Sequence, residues 1–131
     1  VEVRIACPKG FEPNPLILSK AEQINKNKIP AKIFNDPSEA VLGSNVLYTD
    51  VWSSMGEENQ KFKKDKFFDG FILDDDLLSK AENDAIVMHC LPAYRDKEIT
   101  DNVMESKNSK IFDQAENRLH AQQSLLACIL S

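Results

Sequence analysis

Residues 46–56 read V-L-Y-T-D-V-W-S-S-M-G, and this stretch decides the fold. Its first four residues are apolar except at the end, which is typical of a strand covered on both faces. Turn-forming residues follow, and a polar segment with helical character comes next. A buried strand that leads through a loop into a helix is the unit from which parallel sheets are built.

The same unit recurs on both sides of this stretch. The strand-like runs are 1–7, 31–34, 46–49 and 85–88. The helical patterns between and after them begin near Leu16, Pro37, Glu57, Asp74 and Gln114 or Ala115. Because strands and helices alternate four times, the sequence predicts an α/β fold with a parallel sheet and helices on both faces.

Length, composition and charge narrow the functional classes. The chain has 131 residues, of which 42% are hydrophobic and 28% charged, so one folded domain is expected. A net charge of -5 argues against nucleic acid or an anionic membrane as partner. The three cysteines are odd in number and widely spaced, which favours a reducing compartment. We expect the cytoplasm, with an organelle matrix as the alternative.

Candidate site residues follow two of the predicted strands. In parallel sheets, ligands bind beyond the carboxyl ends of the strands. Asp50, Ser54 and Met55 follow the third strand, and they supply an acid, a hydroxyl and a backbone N–H. These groups together can hold the ammonium and carboxylate of an amino acid. His89 and Cys90 follow the fourth strand.

Each of these residues also has a purely structural interpretation. An acid and a serine after a strand commonly form a turn and a helix cap. Cys90 fits a buried small hydrophobic residue, and His89 fits a hydrogen-bonded imidazole at a strand end. Arg118 could pair with Glu116 at the surface, and Trp52 could pack its loop against the domain. The residues alone therefore predict an α/β domain with a candidate amino-acid pocket.

Three motifs, taken in order, carry a resemblance to a known family. They are D-V-W-S-S-M-G at 50–56, M-H-C-L-P at 88–92 and A-E-N-R-L-H-A-Q at 115–122. Together they resemble the second, amino-acid-binding half of ornithine carbamoyltransferases, and the segments at 6–13 and 35–40 are similar too. The resemblance implies a Rossmann-like domain and transfer of a carbamoyl group from carbamoyl phosphate to the δ-amine of L-ornithine. It implies no metal and no organic cofactor.

The resemblance assigns roles to six residues. The residues that match ornithine-binding positions are Asp50, Ser54 and Met55. The residues that match positions next to carbamoyl phosphate are Cys90, Leu91 and Arg118. Two of them, Cys90 and Arg118, are expected to act in catalysis, with a thiol or thiolate at Cys90 accepting or steering the ornithine proton. The family geometry also predicts a cis bond between Leu91 and Pro92.

Some features of the family are missing from this sequence. A Ser-Thr-Arg-Thr loop and a later His-Pro motif bind carbamoyl phosphate in the first half of the family, and neither occurs here. Residues 1–131 are therefore expected to be a partial ornithine-binding domain that lacks its first strand and helix, with the N-terminal carbamoyl-phosphate-binding domain absent. We expect such a piece to be inactive alone. The family implies a homotrimer and a place in arginine biosynthesis.

Two alternatives remain open at this point. One is a related carbamoyltransferase that uses another amine acceptor. The other is a non-catalytic module that binds an amino acid or serves in assembly.

Overall fold

Each strand of the described chain is followed by one or two helices. The structure, a computed structural model, describes residues 1–24, 30–53 and 61–131, and for 61–63 the backbone only. The strands in these ranges are β1 (Arg4–Ala6), β2 (Lys32–Phe34), β3 (Val46–Thr49) and β4 (Ile86–His89). The helices in these ranges are α1 (Pro15–Ile24), α2 (Pro37–Val41), α3 (Lys61–Phe67), α4 (Asp75–Ser79), α5 (Asp101–Met104) and α6 (Ile111–Leu130).

The strands pair in parallel, as the alternation predicted. β1 pairs with β2, and β3 pairs with β4. Each parallel pair needs a crossover connection, which α1 supplies for the first pair and α3 with α4 for the second. The α/β class is confirmed. Within the described residues the two pairs form separate two-stranded sheets, and α2 contacts β1, β2 and α4.

Two helices begin close to the residues where the sequence placed their starts, and each begins with an aspartate cap. The Asp36 carboxylate accepts a hydrogen bond from the Ser38 N–H at 2.8 Å, and Pro37 is the first residue of α2. The Asp74 carboxylate accepts one from the Leu77 N–H at 2.8 Å at the start of α4. These contacts satisfy backbone donors that have no partner inside the helix.

The core lies between the β3–β4 pair and the helices α4, α5 and α6. Its fully buried members include Val87, Ile99, Val103 and Ile111. Ile111 explains why α6 begins before the predicted Gln114 or Ala115. Its side chain packs into the core, although Lys110 at the N-cap position makes no side-chain capping bond.

The expectation that β3 is covered on both faces is wrong for the described residues. Side chains alternate between the two faces of a strand. Leu47 points into the core, whereas Val46 and Tyr48 are 51% and 56% exposed. The apolar run of β3 therefore has one face in the core and one face open within this part of the chain.

Two further segments differ from the prediction or fall outside the structure. The segment between Pro92 and Gln114, in which the sequence analysis found no strand or helix, contains the short helix α5, whose cap Thr100 accepts a bond from the Val103 N–H. The helix predicted over 57–68 is seen as α3, and residues 57–60 lie outside the described ranges. Among the described helices, none has both the length and the apolar composition that crossing a bilayer requires.

Candidate active site

The carboxyl ends of β3 and β4 bring two predicted site residues together. Thr49 and His89 are register partners in the parallel pair, so the residues that follow them lie side by side. The Cys90 thiol lies 2.9 Å from the Asp50 Oδ1 atom and donates a hydrogen bond to it. The same oxygen accepts the Val51 N–H at 2.7 Å. Asp50 is exposed, so a ligand can reach its carboxylate.

The surroundings of Cys90 favour the protonated thiol. Partial burial raises the pKa of Cys90, and the hydrogen bond and negative charge of Asp50 raise it further. A hydrogen bond from Tyr48 opposes this shift without cancelling it. Near neutral pH, Cys90 is therefore a hydrogen-bond donor, and of the two forms expected from the sequence the thiol is the one that this geometry supports.

His89 has both ring nitrogens occupied. The Leu91 N–H donates to its Nδ1 atom at 2.8 Å, and its Nε2 atom lies 3.2 Å from Oε1 of Glu98. Both His89 and Glu98 are fully buried. The interpretation of His89 as a hydrogen-bonded imidazole at a strand end is confirmed.

The donor set at the strand ends does not fit a metal centre well. Asp50, His89 and Cys90 each have a possible ligand atom within 4.8 Å of the others. Since both nitrogens of His89 already have partners, only Asp50 and Cys90 present available ligand atoms. A protein zinc site uses three or four ligands, so this group would have to break the His89 contacts first.

The backbone turns sharply directly after Cys90. Leu91 has a φ of 56°, in the left-handed region that residues other than glycine rarely adopt. The bond between Leu91 and Pro92 is cis, as the resemblance predicted. The Leu91 side chain is partly buried and packs against the core.

Helix α6 is tied to both strands through one amide side chain. Oε1 of Gln114 accepts the His89 N–H at 3.1 Å, and Nε2 of Gln114 donates to the Tyr48 hydroxyl at 3.0 Å. Arg118 follows one helical turn after Gln114, and residues four apart lie on the same helix face. The site face of α6 therefore carries a guanidinium.

Arg118 is exposed, and no hydrogen bond or ion pair joins it to Asp50 or Cys90. Its guanidinium makes no hydrogen bond or ion pair with any other residue that the structure describes. The structural alternative for Arg118, a surface pair with Glu116, is not seen among the described residues, and Glu116 lies 3.5 Å from His120. Arg118 is therefore free to interact with an anionic ligand.

The loop after β3 is only partly described. Ser54 and Met55, two of the expected ornithine-binding residues, lie outside the described ranges. Trp52 lies within them and stacks on Phe68, with ring centroids 5.8 Å apart. The expected role of Trp52 as the anchor of this loop is confirmed.

Three residues of the site were not predicted from the sequence. Glu98 lies in the charged stretch R-D-K-E-I-T-D at 95–101, which reads as a surface segment, yet its side chain is 1% exposed. Gln114 was expected only as a possible first residue of a helix, and Tyr48 only as part of a strand. The alternation of β3 could have assigned Tyr48 to the face opposite Leu47, but no local pattern indicates the contacts of Glu98.

Comparison with known proteins identifies the family. The family described as "Aspartate/ornithine carbamoyltransferase, Asp/Orn binding domain" matches residues 1–129. The chain belongs to the aspartate/ornithine carbamoyltransferase family. The resemblance read from the three motifs is thereby confirmed.

Similar proteins and solved structures also support the family assignment. An ornithine carbamoyltransferase of Prochlorococcus marinus subsp. pastoris is 68% identical over 99% of this chain. The structure of ornithine carbamoyltransferase from Pyrococcus furiosus is 44% identical over 97% of the chain, with a TM-score of 0.87, and the chain covers 41% of it. A structure titled as an N-acetyl-L-ornithine transcarbamylase mutant is 28% identical over 98% of this chain and 40% of its own, with a TM-score of 0.81. The chain spans about 42% of the length of the first of these relatives.

Proposed function

We propose that the protein containing this chain is an ornithine carbamoyltransferase, and that this chain carries the ornithine-binding half of its active site. The observation that carries the proposal is the contact between Cys90 and Asp50 at 2.9 Å, where two parallel strands end. A carboxylate for an ammonium group and a thiol beside it suit an acceptor that has two amines. The names of the relatives support L-ornithine as that acceptor.

The proposed reaction joins the δ-nitrogen of ornithine to the carbamoyl carbon. The amine lone pair attacks that carbon, a C–N bond forms, and the bond from carbon to the phosphate oxygen breaks. Citrulline and phosphate result, and the proton that the attacking nitrogen loses passes to the leaving phosphate, whose oxygen gains negative charge as the C–O bond breaks. An alkyl amine of this kind has a pKa near 10.4, so presenting it uncharged near pH 7 costs about 4.6 kcal/mol.

The residues around the strand ends support particular roles in this reaction. Asp50 holds the α-ammonium of ornithine through a charge-assisted hydrogen bond. Cys90, held as a thiol, lies next to the δ-amine and steers it, while Leu91 borders the carbamoyl group. Arg118 offsets negative charge on the carbonyl and phosphate oxygens.

Ser54 and Met55 complete the proposed ornithine site from the loop after β3. The reaction needs no metal and no organic cofactor in this proposal. Nucleic acid and membranes are not partners in it, and the cytoplasm is the proposed compartment.

The rest of the protein completes the site in this proposal. Residues 1–131 are taken as a partial ornithine-binding domain, with a carbamoyl-phosphate-binding domain elsewhere in the protein. The 42% share of the relative's length supports this division. A homotrimer in arginine biosynthesis is the assembly and pathway that the resemblance implies. Native mass spectrometry of the whole protein tests the assembly.

A citrulline assay on the whole protein tests the function. Carbamoyl phosphate is held in excess while L-ornithine, N-acetyl-L-ornithine, putrescine and L-aspartate are compared as acceptors. The proposal expects the highest kcat/KM with L-ornithine. A preference for another acceptor would favour a related carbamoyltransferase, and ornithine binding without turnover of any acceptor would favour a non-catalytic module.

A further inference from the structure

An aromatic cluster lies beside the carboxyl ends of β1 and β3. Its central ring belongs to Phe68, directly after α3. Phe68 stacks on Trp52, with ring centroids 5.8 Å apart and ring planes 23° apart, and it meets Phe11 and Phe71 edge to face at 5.1 Å and 5.9 Å. All four side chains are partly buried. These separations and orientations are the ones that aromatic pairs prefer, so the four rings form one packed unit.

The main chain holds Phe68 in place on both sides of the residue. The Phe68 N–H donates to the Lys64 carbonyl at 3.1 Å and so continues the hydrogen bonding of α3. The Phe68 carbonyl accepts the Phe71 N–H at 2.9 Å, which closes a turn in which Gly70 has a φ of 86°. Glycine adopts this conformation without the steric cost that other residues meet. The position of Phe68 is therefore set independently of Trp52.

The residues Asp50 and Val51 span the gap between two fixed points. Thr49, before them, is the last residue of β3 and pairs with β4. Trp52, after them, is held by its stack on Phe68. Each residue has only two soft backbone dihedral angles, so a span of two residues with both ends fixed has few conformations. The stack therefore limits where the Asp50 carboxylate can lie.

The contact between Asp50 and Cys90 depends on that limit. Oδ1 of Asp50 accepts both the Cys90 thiol at 2.9 Å and the Val51 N–H at 2.7 Å. Asp50 is exposed, so packing around its side chain does not fix the carboxylate. Its place comes from the backbone at position 50 and from these two hydrogen bonds. A shift of that backbone would stretch the bonds, and hydrogen bonds weaken as they lengthen and bend.

We propose that Phe68 is a positioning residue for ornithine binding, acting through Trp52 to hold the Asp50 carboxylate beside Cys90. This inference rests on the proposed function, in which Asp50 holds the α-ammonium of ornithine. Phe68 touches no substrate in this proposal. Its effect falls on the affinity for ornithine, since a displaced carboxylate makes a poorer charge-assisted hydrogen bond to the ammonium.

Matched variants of the whole protein test the effect on ornithine. Phe68→Ala removes the ring on which Trp52 stacks. We expect its KM for ornithine to rise about 5- to 30-fold, with kcat and the KM for carbamoyl phosphate within about threefold of the parent. Phe68→Tyr keeps the ring and should restore the KM of the parent. Phe67→Ala is the control, because the Phe67 ring contacts Phe11 at 5.4 Å and, among the described rings, does not contact Trp52.

The pH profile of Cys90 alkylation distinguishes positioning of Asp50 from a general loosening of the site. Phe68→Ala should weaken the contact between Asp50 and Cys90, so the profile should move to lower pH. Loosening alone would expose the thiol and move the profile in the same direction, because burial also raises the pKa of Cys90. The substitution is therefore repeated in the Asp50→Asn background. A shift that disappears there supports the positioning role, and a shift that persists unchanged overturns it.

The alkylation comparison needs no turnover, so it separates this inference from the proposed function. If the parent makes no citrulline and the shift still disappears in Asp50→Asn, the proposed function is overturned while the positioning of Asp50 by Phe68 stands. If the parent makes citrulline and Phe68→Ala has the ornithine KM of the parent, this inference alone is overturned. Where Phe68→Ala fails to fold, Phe68→Leu removes the ring and keeps most of the apolar volume, and the same measurements decide.

Discussion

Thr49 and His89 are register partners at the ends of β3 and β4. This pairing is why Asp50 and Cys90, which are 40 positions apart in the sequence, touch through a 2.9 Å hydrogen bond. A slip of the register by one residue would turn the side chains of one strand to the opposite face. The candidate site therefore depends on the pairing of two short strands.

Replacing Asp50 should weaken the binding of one substrate only. Asp50→Asn keeps the size of the side chain and removes the charge that holds the α-ammonium. Ornithine binding should weaken by about 1.5 to 3 kcal/mol, with carbamoyl phosphate binding nearly unchanged. Titration calorimetry of the whole protein with each substrate measures both. Asp84→Asn, at an exposed turn, is the control, and equal losses for both substrates would contradict the assigned role.

Replacing Arg118 should have the opposite selectivity. Arg118→Ala removes the cation that faces the phosphate in the proposed site, so carbamoyl phosphate should bind more weakly and ornithine about as before. Arg118→Lys keeps the positive charge but loses the planar guanidinium group with its paired N–H donors. Its affinity for carbamoyl phosphate should lie between those of the parent and Arg118→Ala. The same calorimetric titrations measure the affinities for both substrates. Unchanged carbamoyl phosphate affinity in Arg118→Ala would mean that Arg118 does not contribute to binding carbamoyl phosphate.

The pKa of Cys90 should respond to Asp50. Burial and the Asp50 carboxylate both raise the pKa of the thiol, and only the thiolate reacts readily with iodoacetamide. In Asp50→Asn the charge is gone, so the pKa of Cys90 should fall and the alkylation profile should move to lower pH. Mass spectrometry of the Cys90 peptide across a pH series measures this. An unmoved profile would mean that burial alone sets the reactivity.

The cap of α4 should contribute measurably to stability. Asp74 accepts the Leu77 N–H, whereas its neighbour Asp75 makes an exposed contact with Asn102 at 3.3 Å. Asp74→Ala should lower the free energy of unfolding by about 0.5 to 2 kcal/mol, and Asp75→Ala by less. Urea denaturation of both variants gives the comparison. Equal losses would indicate that the negative charges near the helix start, and not the cap bond, stabilise α4.

Local patterns in the sequence predicted most of the elements. The bounds of β3 and the starts of α1, α2 and α4 follow from apolar spacing and from acidic residues placed at helix starts. The start of α6 was missed because the buried Ile111 sets it through tertiary packing. The helix α5 was missed because four residues are too few for a periodic pattern.

The residues that contact the candidate site from behind were harder to predict than the site residues themselves. Asp50 and Cys90 stand directly after strands, where ligand-binding residues are expected in a parallel sheet. Glu98 is surrounded by charged neighbours, and its burial depends on His89, nine positions earlier in the chain. Gln114 likewise acts on residues that only the folded structure brings near. Such contacts leave no signal in a single sequence.

The amide side chain of Gln114 connects helix α6 to two neighbouring strands. Because it bonds β4 through the His89 N–H and β3 through the Tyr48 hydroxyl, the helix that carries Arg118 is tied to the strands that carry Asp50 and Cys90. The spacing between the arginine and the strand-end pair is thus set within this chain. In the proposed enzyme, the rest of the protein would therefore meet an arginine and a strand-end pair whose separation this chain sets by itself.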